Sequence, residues 1–349
     1  MKDVINLINS TRSKIAFIDE GMAASEIRHS DKKWSFSNVY YFTEFRDVYL
    51  ALSKFKFGKF PRNFKKEFTK FCLSVNLPFV KSPWKERRIL EYLNAFKNLS
   101  LINEKYEVTK EIFVGREIGQ PLSQSDIETL KQIYFGYFRF KEFFSWLIRP
   151  PINPDVSFVV GLTPERIYKE SKPIYFFSSK SGKENRFTDN FIYELEENSR
   201  IYYIDESDGK LSRFWDVFIT WGKNLNIIEK FSFRFPLIRT SINKDKSIGC
   251  CYVVNEIFPE LDLLDYLNSN YNHSYIYLPF LVLDIALKYR VRVERVQEFI
   301  IEQYKKYREV FSLERTSEIF IKKGKISEND KILFPIYNDA YISHLIIRK

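Results

Sequence analysis

Glycine, cysteine and histidine are scarce in this 349-residue chain, which has 11 Gly, 3 Cys, 3 His and only 13 Pro. So little glycine and proline excludes a collagen-like, disordered or linker-dominated chain. No Gly-x-Gly-x-x-Gly occurs anywhere, which argues against a dinucleotide-binding fold. Cys72 stands alone and Cys250 and Cys251 are adjacent, so the cysteines cannot staple a fold, and a reducing cytosol is the expected home. His29, His273 and His344 lie in unrelated contexts with no cysteine nearby, so the local ligand spacing of a zinc site is missing. No Gly-x-Ser-x-Gly elbow is present, and core packing is the expectation for all three cysteines. Long apolar runs are lacking too. The longest, Ile276 to Leu283, contains Pro279 and stops at Asp284, far short of the roughly 20 residues that span a bilayer. Asp3 precedes any apolar run, so no signal peptide is expected. These absences predict a soluble cytoplasmic protein with no membrane contact, no metal and no cofactor.

Aromatics are plentiful, with 34 Phe, 22 Tyr and 5 Trp making 17% of the chain, and hydrophobic residues in total make 45%. Length and apolar content suffice for roughly two to three domains. Abundant aromatics beside many Lys, Ile and Asn suggest an AT-rich genome, so an aromatic–lysine cluster is not by itself a base-stacking surface. The net charge of +10 is unevenly placed. Between Lys54 and Arg88 there are eleven Lys and Arg against Glu67 and Glu86, for +9 in 35 residues. A second basic stretch, Lys288 to Lys325, has eleven Lys and Arg against six Glu, for +5. Most charge runs are solvated helix faces, but an excess concentrated in one segment favours a polyanion partner, because Lys and Arg that neutralise phosphates release counterions.

Along the chain, residues 1–40 carry little signal beyond a short helical pattern near Val4 to Ile15. Thr43 can cap a helix with the stripe Phe45, Val48, Tyr49, Leu52. Pro61 opens a second, in which Phe64, Phe68, Phe71 and Val75 recur at helical spacing while Lys65, Lys66 and Lys70 take the other side. Ser82 and Pro83 start a third, with the stripe Ile89, Tyr92, Leu93, Phe96 and an outer side of Lys85, Glu86, Arg88 and Glu91. Leu99-Ser100-Leu101-Ile102 ends that helix and leads into the alternating residues 102–109, a hairpin signal.

Three helices followed by a small hairpin resemble the winged helix-turn-helix superfamily, and Ser82 to Thr109 is similar to its recognition helix and wing. The resemblance covers under a third of the chain and implies fold more than function. It implies that the start of the third helix, with Lys85, Arg87 and Arg88, lies near the major groove, that Lys65, Lys66 and Lys70 contact phosphates, and that Lys105 sits on the wing.

Leu122 to Leu147 reads as one long helix packed on this unit, and Arg149-Pro150-Pro151-Ile152-Asn153-Pro154 as a domain boundary. The composition then turns β-like, with strands expected at Val156–Val160, Ile174–Phe177 and Arg200–Ile204, a tight turn at Asp208-Gly209, and a helix over about Ser212 to Leu225. The stretch Lys223-Asn224-Leu225-Asn226-Ile227-Ile228 resembles Lys97-Asn98-Leu99-Ser100-Leu101-Ile102, each at a helix end, which makes a second winged unit plausible. Near the C-terminus, helices over Leu278–Tyr289 and Glu294–Tyr307 joined by a short turn form a further helix-turn-helix pattern, with strands at Phe311–Thr316 and Ile319–Ile321.

Ser178 to Glu184 invites a phosphate-loop reading, which fails because Phe177 replaces the first glycine and Glu184 stands where a Mg²⁺-binding hydroxyl is required. Glu170, Asp189, Glu194, Asp205, Asp208 and Lys210 offer raw material for a Mg²⁺-dependent nuclease, though in no recognised spacing. The expectation is therefore an α+β, helix-rich chain. It would comprise tandem winged-helix domains with a β-rich middle segment: a segment 1–40, a basic winged unit with a packing helix over 41–148, a β-rich domain over 155–245, and a third unit over 246–349. The expected function is non-catalytic binding of duplex DNA through its phosphate backbone, together with a protein partner or a second copy of the chain. Tandem winged helices on one chain resemble the recognition portions of restriction enzymes and the DNA-sensing subunits of antiphage systems. An adaptor that docks through its winged helices, and a nuclease within residues 155–210, are the alternatives.

Overall fold

A computed structural model describes residues 36, 38–55, 63–77, 85–148, 163–171, 174–178, 194–195, 199–201, 209–234, 247–316 and 331–348. The expectations for Val4–Ile15, Val156–Val160, Ile319–Ile321 and the proline-rich break after Arg149 lie outside these residues. The fold is α+β and helix-rich. Helices α1 (Phe42–Lys54), α2 (Phe64–Ser74) and α3 (Lys85–Asn98) pack against one another. A single antiparallel bridge, Ile102 to Val108, closes the hairpin after α3.

The expected helix over Leu122–Leu147 is two helices, α4 (Gln124–Gly136) and α5 (Phe138–Ile148). The chain leaves helical geometry at Tyr137 (φ −76°, ψ 121°), directly after Gly136, and this bend lets the aromatic faces of both helices reach one core. Helix α4 begins with a reciprocal cap between Ser123 and Asp126. Helix α6 (Pro164–Glu170) is capped by Thr163. The strands β1 (Ile174–Ser178), β2 (Glu194–Leu195) and β3 (Ser199–Ile201) follow, then α7 (Gly209–Asn224), β4 (Ile228–Arg234) and β5 (Ser247–Val253). The tight turn expected at Asp208-Gly209 is corrected, since Gly209 is the first residue of α7. The remaining elements are α8 (Leu263–Asn270), β6 (Tyr275–Tyr277), α9 (Leu278–Tyr289), α10 (Val293–Lys306), β7 (Phe311–Arg315), β8 (Ile336–Tyr337) and β9 (Ala340–Ile347).

The described strands form two sheets. The first has the order β2-β3-β1-β5-β4, with only β1 and β3 parallel, and the second the order β6-β9-β7, with β8 beside β9. Each contains the same antiparallel trio. The strand that follows a helix (β4 after α7, β7 after α10) pairs with the later strand (β5, β9), and that strand pairs with an earlier one (β1, β6).

The recurring Lys-Asn-Leu stretch has a local meaning. At the ends of α3 and α7 the same hydrogen bonds recur: Leu101 N–H to Phe96 C=O at 2.8 Å, and Ile227 N–H to Gly222 C=O at 2.7 Å. Ser100 (φ 56°) and Asn226 (φ 59°) take the left-handed conformation, and the next residue buries its side chain. Asn76 ends α2 and Arg290 ends α9 in the same way, with Leu77 bonding back to Cys72 and Val291 to Ala286. These are Schellman-type caps, which ordinarily use glycine. Among the described residues, four helix ends of this glycine-poor chain place an L-residue in the left-handed region at the cap.

Aromatic side chains bind the first elements to the middle of the chain. Trp221 of α7 donates to the Val39 carbonyl at 2.7 Å and lies edge-on to Phe42 and Phe45, with ring centroids 5.1 and 5.2 Å away. Tyr134 of α4 stacks on Phe218 of α7 (5.3 Å, 16°) and donates to the Phe218 carbonyl. A buried ion cluster pins the 116–126 loop to α1. Arg46 bonds Asp47 (2.7 Å) and Asp126 (3.3 Å), and Arg116 reaches Asp126 at 3.1 Å. All three cysteines are buried, and burial pushes the Cys72 thiol up to about 12. No helix among the described residues is long and apolar enough to cross a membrane.

Candidate nucleic-acid interface

Helix α2 divides as its periodicity predicts. Phe64, Phe68, Thr69 and Cys72 are buried, while Lys65, Lys66 and Lys70 are exposed. Lys66 and Lys70 are one turn apart on the same side. Lys70 forms an exposed pair with Glu67 at 3.1 Å, whereas Lys65 and Lys66 have no ion-pair partner among the described residues. An exposed pair of this kind holds its cation only weakly.

Helix α3 places its cations differently. Arg87 is exposed and has no ion-pair partner among the described residues. Lys85 opens the helix. Arg88 turns toward α1 and binds the carboxylate of Glu44, which also accepts the Tyr92 hydroxyl at 2.6 Å. Burial, and then the charge of Glu44, raise the Tyr92 pKa above its ordinary value. The expectation that Arg88 faces a groove is corrected accordingly. Glu44 sits in a largely buried position on α1, and a carboxylate there requires a cation.

Lys105 lies exposed at the tip of the hairpin. The tip is built by Asn103, whose Oδ1 accepts the amides of Lys105 (2.9 Å) and Glu107 (3.0 Å). Tyr106 takes the left-handed conformation (φ 66°), and its ring stacks on Phe64 with centroids 4.3 Å apart and planes 7° apart. Lys97 pairs with Glu104 at 2.7 Å and lies 4.2 Å from the Tyr106 ring centroid. The Phe64–Tyr106 stack joins the hairpin to the N-terminal end of α2. The hairpin itself is not basic, because Glu104 and Glu107 flank Lys105. That stack had a faint sequence signal at best, since both rings fit their local patterns equally well without it.

The second basic stretch is placed otherwise. On α10, Glu294, Glu298 and Glu302 balance Arg295, Lys305 and Lys306, and Arg295 pairs with Glu298 at 3.4 Å. Phe258 packs on Phe299 (5.1 Å), and Gln297 donates to the Ile332 carbonyl at 2.6 Å. Arg292, just before α10, bonds Asn226 and pairs with Glu294 at 3.3 Å and Glu229 at 3.6 Å. Burial and the charge of Glu294 raise the Glu229 pKa. Arg290 is spent on α6, where it donates to the carbonyls of Tyr168 and Ser171 and lies over the Tyr168 ring. The turn before α10 and its first residues line an open cleft of about 670 Å³ shared with α4 and the α7–β4 corner.

Of the carboxylates named for a nuclease, Glu170 is exposed on α6 and paired with Arg166 at 2.8 Å. Glu194 and Lys210 lie in β2 and α7, and Asp189, Asp205 and Asp208 lie outside the described residues. Among the described residues no three His, Cys, Asp or Glu converge to hold a metal ion. Comparisons with protein-family models, with curated proteins and with solved structures return no match.

Proposed function

We propose that this protein binds duplex DNA through the phosphate backbone, using the first three helices and their hairpin as a winged helix-turn-helix unit, and that it serves as a non-catalytic recognition component of a larger assembly. The observation that carries this reading is the set of exposed cations Lys65, Lys66 and Arg87, without ion-pair partners among the described residues, on two helices packed against each other, with the hairpin that bears Lys105 joined to α2 by the Phe64–Tyr106 stack. Lys65 and Lys66 contact phosphates, Lys70 joins them by releasing Glu67, and Lys85 and Arg87 at the start of α3 approach the groove. Arg88 holds α1 in place.

The C-terminal segment is read as a winged unit too, supported by its element order α8, β6, α9, α10, β7, β9 and by the strand order β6-β9-β7. Its second helix is charge-balanced, which favours docking over phosphate binding for that unit.

Fluorescence anisotropy with a mixed-sequence duplex, titrated at several salt concentrations, tests the proposal. Each phosphate contact contributes a slope of about −0.9 in log K against log salt. The double variant K65A/K66A should therefore lower the slope by about two. Absence of binding at low salt, or an unchanged slope in the double variant, removes the DNA assignment.

A further inference from the structure

Helix α10 balances its charges, but the sheet of the same C-terminal unit carries an aromatic face. Strand β9 pairs with β6 and β7 so that Tyr277, His344 and Glu314 lie in one row and Tyr275, Ile346 and Ser312 in the next. The alternate residues Ile276, Leu345 and Phe311 are buried in the core, which puts these two rows on the opposite side of the sheet. There Tyr275 stacks on His344, with centroids 4.3 Å apart and planes 26° apart, and its hydroxyl donates to the Glu314 carboxylate. His344 is backed in turn by Tyr277, 5.2 Å away, and Tyr277 by Phe280 and Phe334. Burial lowers the His344 pKa against the pull of Glu314, so the ring is uncharged at neutral pH. Tyr275 keeps 46% of its surface exposed, and His344 is the one ring it contacts among the described residues. It forms the open end of a supported ring stack.

Cations stand at both ends of this strip. Arg315 lies opposite Ile342 at one end, and Arg348 follows Ile346 at the other, its N–H bonded to the Val310 carbonyl at 2.8 Å. Both are exposed and have no ion-pair partner among the described residues. At about 3.4 Å per residue, the run from Ile342 to Arg348 sets them about 20 Å apart, a distance that a few nucleotides span.

We propose that this face binds single-stranded DNA, with an unpaired base stacked on the free side of Tyr275 and backbone phosphates at Arg315 and Arg348. An exposed ring stack accepts any base by its π-face, and only an unpaired or terminal base offers one, because bases inside a duplex are already stacked on each other. The two arginines supply the charge complementarity for phosphates. Glu314 lies between them, where its carboxylate is engaged by Tyr275 and where the bases rather than the phosphates run. The stacking site stands on its own residues; only the choice of DNA over RNA rests on the duplex reading above.

Fluorescence anisotropy of the full chain with a labelled oligodeoxythymidine of about ten nucleotides tests the site, run in the K65A/K66A variant so that the proposed duplex interface contributes little. The expected result is saturable binding. Tyr275→Leu should weaken it about tenfold, while Tyr275→Phe, which keeps the ring, should stay near the parent affinity. Arg348→Gln should flatten the salt slope by about 0.7, the single-strand value for one phosphate contact. Circular dichroism checks that each variant is folded. Failure of the duplex proposal shows separately, as an unchanged duplex slope in K65A/K66A. No saturation by the oligonucleotide, unchanged affinity in Tyr275→Leu, or equal loss in Tyr275→Phe and Tyr275→Leu overturns the site. Tighter binding of an oligouridine of the same length overturns the choice of DNA.

Discussion

Replacing Gly222 with alanine reverses the usual effect of that substitution in a helix. Glycine inside a helix ordinarily costs about 1 kcal/mol relative to alanine, so Gly→Ala stabilises most helices. Gly222 lies near the end of α7, where the helix meets both α4 and β4. A Cβ there would lie 2.5 Å from the Tyr134 hydroxyl oxygen and 2.7 and 2.9 Å from Cγ1 and Cβ of Ile228. Neither neighbour can yield easily. Ile228 is branched and anchored in a strand, and the Tyr134 hydroxyl is held by its 2.9 Å bond to the Phe218 carbonyl. Overpacking of this kind costs about 1–3 kcal/mol. Displacing the tyrosine hydroxyl forfeits about 1 kcal/mol more. Set against the helix-propensity gain, the net expectation is a loss of about 2 kcal/mol, measured as a lower midpoint in urea unfolding. Gly136→Ala is the control, because a Cβ there meets nothing within 4 Å, and it should leave stability unchanged or raise it slightly. Made in a Tyr134→Phe background, Gly222→Ala should cost less, since the nearest clashing atom is gone. A Gly222→Ala protein as stable as its parent would refute the reasoning.

Glu44→Gln loosens Arg88 from α1; stability should fall by about 1–3 kcal/mol in urea unfolding while the salt slope of duplex binding steepens by up to one unit. Ser100→Gly removes the cost of a left-handed L-residue, about 1–2 kcal/mol, and adds chain entropy of about 0.5–1 kcal/mol, so the midpoint should rise modestly. A drop at that exposed position would contradict the cap assignment. Burial alone would raise the pKa of Asp126, but bonds from the Ser123 amide and hydroxyl, with Arg116 and Arg46, outweigh it and hold the group below its ordinary value. Its contribution is therefore full above about pH 4 and is lost as the pH falls through the lower folded-state pKa. Unfolding curves from pH 5 to pH 2 should show this loss, and Asp126→Asn should flatten that part of the profile.

Much of the helical fold can be read from local pattern. The apolar stripes of α1, α2, α3, α7, α9 and α10 recur at helical spacing, and α9 spans the residues its pattern indicates. The resemblance between Lys97–Ile102 and Lys223–Ile228 is equally local, because the same residue pattern terminates a helix in the same way. The bend at Tyr137 escaped that reading, since one apolar stripe passes through Gly136 without a proline, and only packing against α7 rewards the break. Gly209 was misplaced because Asp-Gly favours turns locally, yet here the glycine opens a helix.

Where each cation points, and what answers it, is a different matter. Composition and spacing alone located the positive excess and divided α2 into a buried aromatic side and an exposed lysine side, because a 3.6-residue repeat is a property of neighbours in the chain. Tertiary structure alone decided that Arg88 belongs to Glu44, 44 residues away, that the hairpin bearing Lys105 is joined to α2 by the Phe64–Tyr106 stack, and that Arg290 and Arg292 are held by α6 and by Asn226 and Glu229. Ion pairing and ring stacking act over a few ångströms of space, and which residues come that close is set by how the helices pack.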